Sequence, residues 1–242
     1  MEQIHIIEKL EELGYPLDDI NLGDFDQIGE HTAKKTRSPD SELYKKVGCF
    51  FRPNYERGIL IYHLIKKYNL KSFLEIGFGR GYGTICAAKA LAENGGGKIV
   101  SIDPLFHNQE TKNHVDRLRN TFPNHWFTEN NIQLIPGFSQ NILLSLNEEF
   151  DFVYIDGDHT YQATKSDWIL TKNKFTKFLL FDDYHLPTKK VDNIECAKAI
   201  DEIDDHEKEL IIMDRRIFFD DRRVPDDEID YGQVLIKKEF EE

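Results

Sequence analysis

The sequence predicts an α/β fold, a doubly wound and mainly parallel sheet of seven strands behind an N-terminal helical cap. Three observations predict it. From residue 71 onward, short apolar runs of strand length alternate with helical patterns, the arrangement of parallel strands joined by crossover helices. A glycine-rich turn, Glu75-Ile-Gly-Phe-Gly-Arg-Gly-Tyr-Gly83, separates the first of these strands from its helix. The last two strand candidates have only Asp214–Tyr231 between them and no helix, so they read as an antiparallel pair at one edge.

The elements follow in order. Ile4, Ile7 and Leu10 give residues 3–13 a helical period that stops at Gly14, with Pro16 two residues beyond. Residues 17–50 are rich in turn formers and read as a cap or flexible arm. Pro53 opens a second helix whose apolar side carries Ile59, Leu60, Tyr62, Leu64 and Ile65. Strands are expected at Ser72–Ile76, Lys98–Ile102, Ile132–Ile135, Phe150–Ile155, Phe178–Phe181, Leu210–Met213 and Gln233–Ile236. Helices fill residues 82–93, 109–121, 139–147, 161–173 and 192–203. Residues 1–58 form the cap, as part of the same domain, and residues 59–242 the α/β unit itself.

Composition narrows the partners. The chain has 242 residues, 40% of them hydrophobic and 31% charged, enough for one large α/β domain rather than two small ones. No apolar run approaches the roughly 20 residues that span a bilayer, so no membrane partner is expected. Charge mixed into the apolar positions of the first nine residues marks an amphipathic helix and not a signal peptide. Cys49, Cys86 and Cys196 are too scattered for a disulfide framework or a zinc site, which points to a reducing, cytoplasmic compartment. A formal net charge of −13 argues against nucleic acid, and the short basic clusters at residues 34–37 and 222–223 read as solvated loops.

The candidate site residues stand at strand ends, where open α/β sheets bind their ligands. The glycine turn does not fit a dinucleotide fingerprint: with Gly77 or Gly79 as first glycine, Tyr82 or Thr84 occupies the last place. It reads instead as E-x-G-x-G-x-G, in which Gly77, Gly79 and Gly81 permit positive φ and a close backbone approach. The Glu75 carboxylate would repel a pyrophosphate and suits a cationic amino-acid ligand. Asp103 follows the second strand, about 20 residues beyond the turn, where an acid binds ribose hydroxyls or caps a helix. Ser139 and Gln140 follow the third strand, and Ser139 also fits a helix N-cap.

Two acidic clusters end the fourth and fifth strands: Asp156-Gly-Asp158-His159-Thr-Tyr161, and Asp182-Asp183-Tyr-His185. Taken singly, each aspartate reads as a cap or a solvated turn acid. Together on one rim they would repel each other unless a hard cation such as Mg²⁺ or another divalent ion joins them. Three or four of these carboxylates, Asp156 or Asp158 with Asp182 and Asp183, could meet around such an ion. An imidazole titrates near neutrality, so His159 is the first candidate for a general base and His185 its rival; His159 also fits a helix cap.

These motifs resemble class I S-adenosylmethionine-dependent methyltransferases, and more narrowly the metal-dependent catechol-type and natural-product sugar O-methyltransferases, over roughly residues 50–237. The resemblance implies a Rossmann-like seven-stranded sheet. It implies S-adenosylmethionine held by Glu75, Gly77, Gly79, Gly81, Asp103 and Asp156, with Ser139 and Gln140 bordering the adenine. It also implies a divalent ion on Asp156, Asp182 and Asp183, the last standing where catechol enzymes have asparagine. His159 stands where they have a catalytic lysine. The expected reaction is metal-assisted methyl transfer to the oxygen of a small hydroxylated acceptor. A metal-independent methyltransferase acting on nitrogen, or a non-catalytic cofactor-binding module, are the alternatives. Phe50, Phe51, Arg52, Tyr55 and Arg57 line the acceptor pocket, close over the methionine end of the cofactor, or pack the cap against the sheet; a homo-oligomer stays open.

Overall fold

The computed structural model describes residues 1–32, 55–185, 195–204, 206–213 and 231–240. The chain opens with β1 (Glu2–His5) and α1 (Ile6–Glu12), then α2 (Leu22–Thr32) and α3 (Tyr55–Lys67). Alternation follows as β2 (Ser72–Ile76), α4 (Tyr82–Glu93), β3 (Lys98–Asp103), α5 (Gln109–Thr121), α6 (His125–Thr128), β4 (Asn131–Pro136), α7 (Ser139–Ser145) and β5 (Phe150–Ile155). It closes with α8 (Tyr161–Thr171), β6 (Phe175–His185), α9 (Cys196–Asp201), β7 (Lys208–Ile212) and β8 (Tyr231–Lys237).

The sheet has eight strands in the order β1-β7-β8-β6-β5-β2-β3-β4, one more than expected. The additional strand is β1, where helical spacing predicts the first turn of a helix. Ile4 pairs in parallel with Ile211, and ladder bonds to a sheet edge outweigh the weak helix preference of four residues. Helix α1 starts only at Ile6, with the His5 ring accepting from the Ile7 N–H at 3.3 Å. It stops at Gly14 as expected, because φ of +84° there is the left-handed cap that glycine adopts freely. The late antiparallel pair is present as β7 and β8, but β8 lies between β7 and β6 and the edge belongs to β1. Strand β8 is antiparallel to both β7 and β6, and the remaining pairings are parallel.

Alternation along the strands buries both faces. Phe73, Phe152, Tyr154, Phe178 and Leu180 join one apolar cluster with α1, α3 and α4. Leu74, Val153, Ile155, Leu179 and Phe181 join the other with Trp168 of α8 and Ile200 of α9. From β2 the chain runs outward to β3 and β4, then returns to β5 on the opposite side. The carboxyl ends of β2 and β5 therefore flank the crevice of the topological switch point. Among the described residues no helix is long and apolar enough to cross a membrane. Cys86 and Cys196 are free and buried. Expectations for residues 33–54, including Cys49, Phe50, Phe51, Arg52 and Pro53, for residues 192–194 and for 214–230 lie outside the described residues.

Candidate active site at the switch point

The glycine turn is fastened from below. Gly77 donates to the Ile102 carbonyl at 2.9 Å, and Asp156 donates to the Ile76 carbonyl at 2.8 Å, so the ends of β2, β3 and β5 are tied together. A methyl group on Gly77 would lie 2.0 Å from the Asp156 carbonyl oxygen, whereas one on Gly79 would meet nothing within 4 Å. Gly77 is thus a packing glycine. Gly79, with φ of +53°, leaves open space above the turn.

Asp103 takes the capping role and also fastens the glycine turn. One oxygen accepts from the Gly79 N–H at 2.9 Å and the other from the Leu105 N–H at 2.7 Å, capping the short 3₁₀ turn at Pro104–His107. Glu75 is 1% exposed, and its carboxylate accepts a hydrogen bond from the Thr84 hydroxyl at the start of α4. Burial raises its pKa to about 7, against the opposing hydrogen bonds of Thr84 and Ser101. Ser139, in the first turn of α7, donates its hydroxyl to Asp167 of α8 at 2.6 Å. Burial lifts Asp167 to about 6, the Ser139 bond opposing. Phe138, and not Ser139, holds the N-cap position; Gln140 follows, half-buried.

The acidic clusters converge. Arg57, from the first turn of α3, donates through one nitrogen to Asp156 at 3.2 Å and to Asp182 at 2.6 Å. The two aspartates therefore share a rim. They do not share a role. Asp182 also accepts from the Tyr154 hydroxyl at 2.7 Å and from the Gln233 amide at 3.0 Å, and its side chain is 0% exposed. Asp183 sits in a register shift of β6 with φ of +52°, a left-handed conformation that aspartate tolerates better than most residues. It meets His159, Nδ1 to Oδ2 at 3.2 Å.

Asp156, His159 and Asp183 bring one potential ligand atom each to within 4.8 Å of one another. Their side chains are 18%, 36% and 21% exposed, so the cluster is accessible where Asp182 is sealed. Burial, and after it the Asp182 carboxylate, pushes Asp156 well above the ordinary carboxylate range, with Arg57 pulling it back. Asp158 points elsewhere, accepting from the Thr160 N–H at 3.0 Å. Thr160 caps α8 through the Ala163 N–H, so capping is not the work of His159. The side chain of His185 lies outside the described residues.

Of the expected metal triad, then, Asp156 and Asp183 open toward His159, while Asp182 turns to Arg57. The sequence carried Arg57 only as a pocket or packing candidate and missed Tyr154, Asp167 and Gln233. Gln233 left a signal, a lone amide inside the apolar strand Gly232-Gln-Val-Leu-Ile236.

Residues 74–184 match the family described as "Methyltransferase domain". Among solved structures, the chain is similar to an O-methyltransferase from Bacillus cereus in complex with SAH, at 16% identity and a TM-score of 0.56, covering 96% of this chain and 97% of that one. It is similar to the SAH-bound methyltransferase PaMTH1 from Podospora anserina, at 15% identity and 0.55, covering 91% and 97%. A methyltransferase from Geobacter sulfurreducens shares 16% identity and a TM-score of 0.51 over 75% of this chain and 78% of its own. No curated protein sequence matches this chain.

Proposed function

We infer that this chain, a class I methyltransferase by its fold and by the methyltransferase domain in residues 74–184, transfers a methyl group from S-adenosylmethionine to an oxygen of a small hydroxylated acceptor. One observation carries the reading: β2, which leads into the open turn at Gly79, pairs through Ile76 with Ile155 at the end of β5, which carries Asp156 into the cluster with His159 and Asp183. The methyl donor carries a sulfonium, whose methyl needs an in-line nucleophile at the right distance more than it needs activation. The donor fits the crevice chemically. Asp103 offers a carboxylate for ribose hydroxyls, the Gly79 turn lets backbone approach, and the acidic rim suits a cationic ligand.

The acceptor side follows from Asp183 and His159. With its Nδ1 turned to Asp183, the His159 ring is held in one orientation and its other nitrogen is left for the acceptor proton. The donor set of Asp156 and Asp183, with an imidazole beside them, fits a divalent ion. Such an ion would lower the pKa of the acceptor hydroxyl and fix its approach. A cytoplasmic location fits two free, buried cysteines.

The test is methyl release from S-adenosylmethionine onto a panel of catechols and sugars, with Mg²⁺ or Mn²⁺ and with chelator. Turnover that falls with chelator and in Asp183→Ala supports the reading. Turnover indifferent to both removes the ion, and turnover confined to amine acceptors moves the chain to the nitrogen class. If His159→Gln loses Mn²⁺ affinity along with turnover, His159 is a ligand and not the base.

A further inference from the structure

We propose that Arg57 is a positioning residue that supplies the counter-charge of Asp182 and competes for Asp156, and so sets how tightly the rim holds a divalent ion. The proposal rests on the ion-assisted reading above. Its geometry is a shared nitrogen: the same Arg57 atom lies 2.6 Å from Asp182 and 3.2 Å from Asp156. The two bonds are unequal in kind. At Asp182 the guanidinium joins Tyr154 on the same oxygen and Gln233 on the other, around a side chain that is 0% exposed. At Asp156 it touches one oxygen of an accessible carboxylate that also faces His159 and Asp183.

Charge points the same way. Among the described residues, Arg57 is the guanidinium that reaches both Asp156 and Asp182. A fixed cation this close to a ligand oxygen repels an incoming ion, the more so in a partly desolvated cleft. Arg57 is itself held in place, its guanidinium 5.5 Å from the Tyr82 ring centroid. The resemblance places the ion on Asp156, Asp182 and Asp183. The geometry here assigns Asp182 to the arginine and places Asp156 and Asp183 in the accessible cluster.

The test is calorimetric titration of the full chain with Mn²⁺, with S-adenosylhomocysteine present. Arg57→Met alone strands a buried carboxylate and can unfold the chain. The informative variant is therefore Arg57→Met with Asp182→Asn, checked for wild-type circular dichroism, beside the conservative Arg57→Lys. The double variant is expected to bind Mn²⁺ roughly tenfold more tightly than wild type, and Arg57→Lys about as wild type does. Unchanged affinity in the double variant overturns the role of Arg57. Weaker affinity overturns it too, because Asp182 is then a ligand. If S-adenosylhomocysteine binds but no variant binds Mn²⁺, the proposal and the ion both fall while the methyltransferase reading stands. Mn²⁺ affinity that rises in the double variant without any S-adenosylhomocysteine binding sinks the cofactor reading and upholds the proposal.

Discussion

His159 reaches the rim on the loop before α8, with Thr160 rather than itself capping the helix, so its ring can be altered without unwinding α8. His159→Gln is expected to cut turnover by roughly 10²–10⁴-fold, the range for a lost general base, with an unchanged melting temperature. Steady-state rates and a thermal melt check both halves; a full-rate variant would end its role as base. The glycines separate by the same logic. Gly77→Ala drives a methyl into the Asp156 carbonyl 2.0 Å away and should destabilise the chain by more than about 3 kcal/mol. Gly79→Ala meets no protein atom within 4 Å. It carries only the strain of a left-handed residue, about 1 kcal/mol, yet should weaken S-adenosylhomocysteine binding at least about tenfold if the cofactor occupies that space. Calorimetry on Gly79→Ala that returns wild-type affinity would place the cofactor elsewhere.

Helix α3 does two jobs along its length. Its first turn carries Arg57 to the rim, and its middle buries His63 against Tyr15 and Tyr62, with ring centroids 4.1 and 4.9 Å away. His63 is 5% exposed, and neither ring nitrogen has a hydrogen-bond partner among the described residues. Burial above all lowers its pKa from 6.5 to about 4, with Lys89 adding to the effect and Glu93 opposing it. The folded state holds the ring neutral, so its stability is complete above about pH 6.5 and drains as pH falls toward 4, by about 3 kcal/mol in all. His63→Phe should remove most of that loss. Urea midpoints at pH 7.5 and pH 4.5 measure it, and equal acid losses in both proteins would count against a neutral buried His63. Much of this element pattern was legible in the sequence. Helix 82–93 has its expected bounds because an apolar run starts directly after three glycines. Strand β1 was not legible, because four residues carry too short a pattern to outvote the helix beyond them. The split between Asp182 and Asp183 was hidden as well. It depends on a left-handed residue at a register shift, which strand periodicity does not encode.

At the scale of the molecule, the site was legible as a place more than as a set of contacts. Alternating strands and helices force the ends of β2, β3, β5 and β6 to one edge, so Asp103, Asp156, Asp182 and Asp183 had to meet there. Which cation they meet was beyond reach, since Arg57 joins Asp182 across 125 residues and no local spacing announces it. The same topology separates stability from ligand binding. Strand β1 is the outer edge, with β7 and β8 between it and β6, while the crevice lies between β2 and β5. Its loss would expose the edge of β7, a row of unpaired backbone groups that invites association. A chain lacking residues 1–5 is therefore expected to lose about 1–3 kcal/mol of stability and to gain a tendency to self-associate. Its affinity for S-adenosylhomocysteine should match that of the full chain, because no ladder bond of the crevice involves β1. Thermal melts, light scattering and calorimetry on the two proteins decide it: affinity falling in step with stability would show that the edge strand and the crevice act as one unit.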